Sequence, residues 1–143
     1  MVEGMQNGQP ERGDQGLDHT HTWGRTYWGG AMFWFLADLR IRTATANKHS
    51  ADDVLRAVLK GHGDGSAHWE MADVIAAADK ASETHVFSEL YAEAANKPMS
   101  ADLPGLWKSL GVSLHHGKVT FDDTAPMAAI RKSLTDPKQN PVK

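Results

Sequence analysis

The densest apolar stretch of the chain begins at Trp28. Its hydrophobic side chains occupy nearly every face of a helix: Trp28, Met32, Phe33, Trp34, Phe35, Leu36 and Leu39. A surface helix keeps a polar stripe, so this helix is predicted to lie at the centre of a larger body. We expect it to run from about Tyr27 to about Thr43, with the Tyr27 hydroxyl projecting from its start into a cavity. Asp38 and Arg42 are spaced for an i,i+4 ion pair at its exposed end.

Three more helices follow from capping residues and from the 3.6-residue period. Ser50 and Asp53 have the spacing of a capping box, which predicts a second helix that ends at Gly61. Helices at about 67–80 and 83–95 come next. The expected core positions of these three helices are Val54, Leu55, Val58 and Leu59; Met71, Val74, Ile75 and Ala78; and Val86, Phe87, Leu90, Tyr91 and Ala94.

The C-terminal part of the sequence predicts a short helix, a hairpin and a last helix. The short helix covers about 102–110, with Ser100 as its cap, Pro104 in its first turn and Gly111 at its end. Residues 112–114 and 118–121 flank His115-His-Gly117, which is typical of a small β-hairpin. A final helix is expected at about 126–134. The predicted fold class is an all-α orthogonal multi-helix bundle with one small β-hairpin near the C-terminus.

Composition separates the start of the chain from the rest. Residues 1–22 are rich in glycine and glutamine and have few apolar anchors, so we expect a flexible leader or linker. Residues 23–143 then form the helical domain. The net charge of -3 gives no electrostatic basis for binding nucleic acid or an anionic membrane. We expect no membrane-spanning segment and no signal peptide, because the polar start lacks an apolar core.

Metal and nucleophile motifs are weak in this sequence. None of the eight histidines precedes a glutamate, so the zinc motif His-Glu-x-x-His is absent. His19 and His21 would chelate only from an extended strand, and His115 and His116 are expected to be solvated; no metal ligand is predicted. The loop His62-Gly-Asp-Gly65 lacks the residues of a phosphate or calcium loop. Zero cysteines exclude disulfides and thiolate ligands, and Gly-x-Ser-x-Gly is also absent.

Tyr27 and the two glycines after it are the strongest functional candidates. A tyrosine at the start of a buried helix is usually a core residue whose hydroxyl finds one partner. Gly29 and Gly30, however, each cost the helix about 1 kcal/mol of propensity. Two such costs in the most apolar helix indicate that another helix or a ligand approaches the backbone there.

These features resemble the C-terminal helical part of the glycyl aminopeptidase family of thermolysin-like zinc peptidases, the gluzincins. The resemblance covers about 26–111 and follows the family's order of helices and spacing. The matching residues are Tyr27, Gly30 and Ala31; Asp38-Leu-Arg-Ile-Arg42; Ser50-Ala-Asp-Asp-Val-Leu-Arg56; Val86-Phe87 with Leu90-Tyr91; and Leu106-Trp-Lys-Ser-Leu-Gly111. Gly29 departs from the family pattern, which has lysine at this position.

The resemblance implies a role for Tyr27 in peptide hydrolysis. The tyrosine of the family motif stabilises the oxyanion of the tetrahedral intermediate beside a zinc ion, and Gly29 and Gly30 would lie on the substrate side. The zinc ligands and the catalytic glutamate would lie N-terminal to this chain, which is therefore expected to be inactive alone. Its implied partners are that missing N-terminal catalytic half and, in the parent enzyme, a peptide substrate.

Two other functions stay open at this point. One is a stand-alone helical binding or interaction domain that shares the architecture of the family but not its chemistry. The other, a small metal-binding protein built on the histidines, is the least favoured. Without the catalytic half, we expect an exposed apolar surface around Tyr27 and Trp28. Such a surface favours self-association as a two-fold homodimer.

Overall fold

The computed structural model describes residues 2–61 and 65–134, and the chain divides into two compact units, Met1–Ser100 and Ala101–Lys143. In the first unit, the elements are α1 (Val2–Asn7), a π-helical turn (Gly24–Gly29), α2 (Gly30–Ala44), α3 (Ala51–Lys60), α4 (Met71–Ser82) and α5 (Val86–Ala94). The second unit contains α6 (Leu103–Leu110), β1 (Val112–His115), β2 (Lys118–Phe121) and α7 (Ala128–Leu134). The predicted all-α bundle with one small hairpin near the C-terminus is confirmed. None of the helices in the described ranges has the length and hydropathy needed to cross a bilayer.

Helix α2 forms the centre of the first unit, as its unbroken apolar sequence predicts. Met32 and Ile41 are completely buried, and α2 packs against the π-helical turn, α3 and α5. The predicted helix start at Tyr27 falls inside the π-helical turn, which continues directly into α2. The side chains that surround α2 include the fully buried Val54 of α3 and Leu90 of α5.

The Asp38–Arg42 ion pair is present but buried, which corrects its predicted exposed position. Arg42 Nε donates to Asp38 Oδ2 over 2.8 Å, and only 8% of Asp38 and 5% of Arg42 is exposed. The other carboxylate oxygen, Asp38 Oδ1, accepts a 2.7 Å hydrogen bond from the Ala51 backbone N–H. The pair is buried because this carboxylate joins α2 to the first residue of α3.

Helix α3 confirms its predicted start but not its predicted core face. The capping box is formed, with the Ser50 backbone N–H donating to Asp53 Oδ2 over 2.9 Å. Val54 is buried, whereas Leu55 and Leu59 are 47% and 59% exposed, so placing these two leucines in the core was wrong. Each residue advances about 100° around an α-helix, so Leu55 and Leu59 point away from the narrow side that Val54 buries.

Helices α4 and α5 pack their predicted faces only in part. Helix α4 begins later than expected, at Met71, where Glu70 and Asp73 form a second capping box. Met71 itself is exposed, whereas Ala78 further along α4 is buried. In α5 the predicted core positions Phe87, Leu90 and Ala94 are all buried.

The segment 1–22 was predicted to be a flexible leader, but its described residues, 2–22, pack against the helical body instead. It contains α1, buries Met5, and pairs Asp14 with Arg25 of the π-helical turn over 2.6 Å, with both side chains almost fully buried. Two of its glycines allow this approach. A Cβ added at Gly4 would overlap the Trp28 ring, and one at Gly8 would lie 2.6 Å from the Trp28 carbonyl. Glycines that indicated flexibility in the sequence therefore serve close packing.

The second unit is built as predicted, apart from the cap of α6. Asp102, rather than Ser100, is the N-cap, and its Oδ1 accepts a 3.0 Å hydrogen bond from the Gly105 N–H. Asp102 replaces Ser100 because it directly precedes the first helical residue. Gly111 ends α6 with φ of 69°, a left-handed conformation that favours glycine. The hairpin is antiparallel, with Val112 opposite Phe121.

Arg131 holds the elements of the second unit together. Its Nη1 donates to the carbonyl oxygens of Leu110 and Gly111 at the end of α6, over 2.6 and 3.2 Å. Its guanidinium also lies 5.0 Å from the centre of the Phe121 ring on β2. A cation at a helix C-terminus is favoured by the helix dipole, so α7 is fixed through Arg131 to both α6 and the hairpin.

Candidate functional site

Tyr27 lies in the π-helical turn with its side chain 65% exposed. Its ring packs on that of Trp23, which is 66% exposed, with the ring centres 5.7 Å apart and the planes tilted by 46°. We call these two residues the Trp23–Tyr27 pair. A core tyrosine would bury its ring, so the usual packing interpretation does not describe this residue. The phenol is exposed to solvent and does not line the pocket described below.

The turn that carries Tyr27 is anchored from its opposite side. Arg25 and Gly29 are its buried residues, and Arg25 binds both the Asp14 carboxylate and the Gly8 carbonyl. Because Arg25 and Tyr27 belong to the same turn, these contacts fix the backbone that presents the phenol. Single π-helical turns occur frequently at functional sites. The Trp23–Tyr27 pair is thus displayed on a fixed element, as a binding or catalytic group requires.

Gly29 and Gly30 differ in what approaches them. A Cβ added at Gly29 would lie 2.9 Å from Leu17 Cδ2 and 3.5 Å from Arg25 Nη1, so neighbouring side chains of the chain itself approach this glycine closely. A Cβ added at Gly30 would meet nothing within 4 Å. The approach of Leu17 explains why position 29 carries a glycine despite its low helix propensity, whereas Gly30 borders open space.

That open space is a pocket of about 190 Å³ in the first unit. Three aromatic rings that pack against one another line it: Phe33 and Trp34 each lie with their ring centres 5.2 Å from that of Phe87. The remaining lining is also mostly apolar and includes Leu17 and Met71. We call this space the Gly30 pocket.

One polar pair lies at the Gly30 pocket. The Tyr91 hydroxyl donates to the Asp18 carboxylate, and both residues line the pocket. This hydrogen bond raises the pKa of Tyr91 because only the protonated phenol can donate it. Burial and the negative charge of Asp18 raise the pKa further. Tyr91 therefore stays a neutral donor. The prediction that Tyr91 is a core residue did not include this contact. Asp18 lies 73 residues away in the sequence, in the segment predicted to be a leader.

The histidine candidates do not form a metal site in the described residues. His19 Nε2 lies 2.7 Å from Asn96 Oδ1, and His21, His115 and His116 are exposed. Within 2–61 and 65–134, no group of three His, Asp or Glu side chains is arranged to hold a metal ion. In the loop His62-Gly-Asp-Gly65, residues 62–64 lie outside the described residues.

Sequence reasoning missed Trp23 as part of the site. The i,i+4 spacing of Trp23 and Tyr27 was a usable signal, since residues four apart share a helix face. The sequence contains a weaker indication of the Gly30 pocket. A glycine in an apolar helix indicates that some group approaches the backbone, but not on which side of the helix.

No protein-family model, curated protein or solved structure matches this chain.

Proposed function

We propose that this chain is the C-terminal helical domain of a zinc metallopeptidase, in which Tyr27 stabilises the oxyanion of the tetrahedral intermediate. The observation that carries the proposal is the exposure of the Tyr27 phenol on an anchored π-helical turn. A tyrosine kept for packing would be buried. The order of the helix motifs, which resembles that of the family, also supports the proposal.

The chemistry asked of Tyr27 is hydrogen-bond donation to developing negative charge. A phenol held in place before the reaction stabilises an oxyanion more than it stabilises the neutral carbonyl of the substrate. Trp23 supports this role because its ring restricts the Tyr27 ring and shields one side of it from water. Replacing Tyr27 by Phe in the parent enzyme tests the role, since turnover should fall while folding stays intact.

The zinc ion would be bound by residues of the parent enzyme outside this chain. The isolated 143-residue chain is therefore expected to show no hydrolysis of aminoacyl or peptide substrates, with or without added zinc. The measurement is release of a fluorescent amine from aminoacyl substrates, with a zinc aminopeptidase as the positive control. Turnover that a chelator abolishes would contradict this prediction.

A second candidate, a helical interaction domain without catalysis, is favoured by one specific feature. Large apolar side chains are exposed next to each other on the first unit in the Trp23–Tyr27 pair. Trp28, expected on the same surface, is half-buried because its ring packs on α1 at Gly4. The same exposed pair would contact the catalytic half in the first proposal and a separate partner in the second.

Self-association through the Trp23–Tyr27 pair is expected in the isolated chain. Apolar surface that a partner normally covers promotes pairing between copies, and a two-fold contact is the simplest closed form. Sedimentation velocity at increasing concentration should show a dimer. Trp23→Ser should raise the dissociation constant of this dimer by about 10-fold or more. Leu59→Ser, which changes a comparably exposed side chain on α3, is the matched control. A strict monomer at high concentration would contradict the prediction.

A further inference from the structure

We infer that the Gly30 pocket binds an arylalkylamine, a compact aromatic group that carries a protonated amine. Tyr27 does not line this pocket, so the inference does not depend on the oxyanion role proposed for Tyr27, although the resemblance places Gly30 on the substrate side of that site. Three observations on the described residues carry the inference: the size of the pocket, an unexplained glycine in its wall and the single charge that lines it.

The size and lining of the pocket suit one aromatic ring. An apolar cavity of about 150 Å³ is sufficient to hold benzene, and the Gly30 pocket measures about 190 Å³. Phe33 and Phe87 are 7% and 3% exposed, so the wall that they form with Trp34 is fixed before any ligand enters. Ring-to-ring contacts at 5–7 Å between centres add affinity beyond area burial.

Gly30 has no structural purpose within the chain itself. It follows the π-helical turn with right-handed helical dihedrals, φ of -62° and ψ of -46°, which alanine adopts equally well. A Cβ there would meet no atom within 4 Å. Glycine is less favourable than alanine in a helix, so its presence is accounted for by a group that enters the pocket and approaches the α2 backbone.

The charge of the ligand follows from Asp18. Among the described residues, Asp18 is the only charged one that lines the pocket, and it is exposed to solvent. The Tyr91 hydroxyl orients that carboxylate by donating to it. A carboxylate beside aromatic rings favours a cation on an aromatic stem, because both the ion pair and the cation–π attraction act on the same group.

Titration calorimetry on the full 143-residue chain with three matched probes tests the inference. Phenethylamine carries the cation, phenethyl alcohol replaces it with a neutral hydroxyl, and phenylacetate carries the opposite charge. We expect phenethylamine to bind with a dissociation constant of about 1 mM, as its few non-hydrogen atoms allow. The alcohol should bind about 10-fold more weakly and phenylacetate more weakly still.

Two variants separate ligand binding from folding. Gly30→Ala should weaken phenethylamine binding about 10-fold by filling the pocket, yet raise the thermal midpoint, because alanine favours the helix. Asp18→Asn should reduce phenethylamine affinity to that of the alcohol, with Glu89→Gln, a charge removal outside the pocket, as the control. Equal binding of all three probes, no measurable binding, or unchanged affinity in Gly30→Ala would each overturn the inference.

Discussion

Replacing Tyr27 by Phe in the parent enzyme is expected to lower kcat by about 10²–10³-fold, the effect of deleting one oxyanion donor. Converted to free energy, the loss of transition-state stabilisation is about 2.7–4 kcal/mol. KM should change little, because the hydrogen bond forms chiefly in the transition state. The measurement is steady-state kinetics on an aminoacyl substrate with purified, folded enzyme.

The same substitution should leave folding almost unchanged. The Tyr27 side chain is 65% exposed, so the variant loses a hydroxyl that faces water and keeps the ring contact with Trp23. Surface substitutions of this kind usually change the free energy of unfolding by less than about 0.5 kcal/mol. Thr26→Val is the matched control, since it removes a neighbouring exposed hydroxyl from the same turn. Normal kcat with a lowered melting temperature would end the catalytic assignment of Tyr27.

The helices could be predicted because their signals are local. The unbroken apolar sequence of α2 and the Ser50–Asp53 capping box each lie within one element, and both appear in the structure as expected. The hairpin could be predicted in the same way, since a turn ending in Gly117 separates two short segments with high β propensity. Local patterns of this kind do not depend on how distant parts of the chain pack.

The features that failed depend on contacts between distant residues. Asp14 and Arg25 are ordinary polar residues in the sequence, and only their buried pairing shows why the segment 1–22 packs on the helical body. Leu55 and Leu59 have the period of a core face, but α3 does not bury that side. The Gly30 pocket likewise needs Asp18 and Tyr91 to meet, which no spacing rule predicts.

Replacing Asp38 by Ala is expected to destabilise the first unit by about 3–5 kcal/mol. The change removes the carboxylate that binds Arg42 inside the protein, and it also removes the acceptor for the Ala51 N–H at the start of α3. Losing one partner of a buried ion pair leaves a charge in a poorly solvated place, which costs far more than an exposed pair contributes. Domains are commonly stable by only about 5–15 kcal/mol, so this single change removes a large fraction of the total.

The same helix supplies a control of nearly identical chemistry. Arg40 of α2 binds Glu93 of α5 through two hydrogen bonds of 3.1 and 3.0 Å, but both side chains are almost half exposed. Glu93→Ala should therefore cost only about 0–1 kcal/mol, as exposed ion pairs do. Asp38→Asn keeps an oxygen for the Ala51 N–H but removes the charge. Its loss of unfolding free energy should lie between those of Asp38→Ala and Glu93→Ala. Urea unfolding followed by tryptophan fluorescence measures all three, and equal losses for Asp38→Ala and Glu93→Ala would show that burial of the Asp38–Arg42 pair has no special effect on stability.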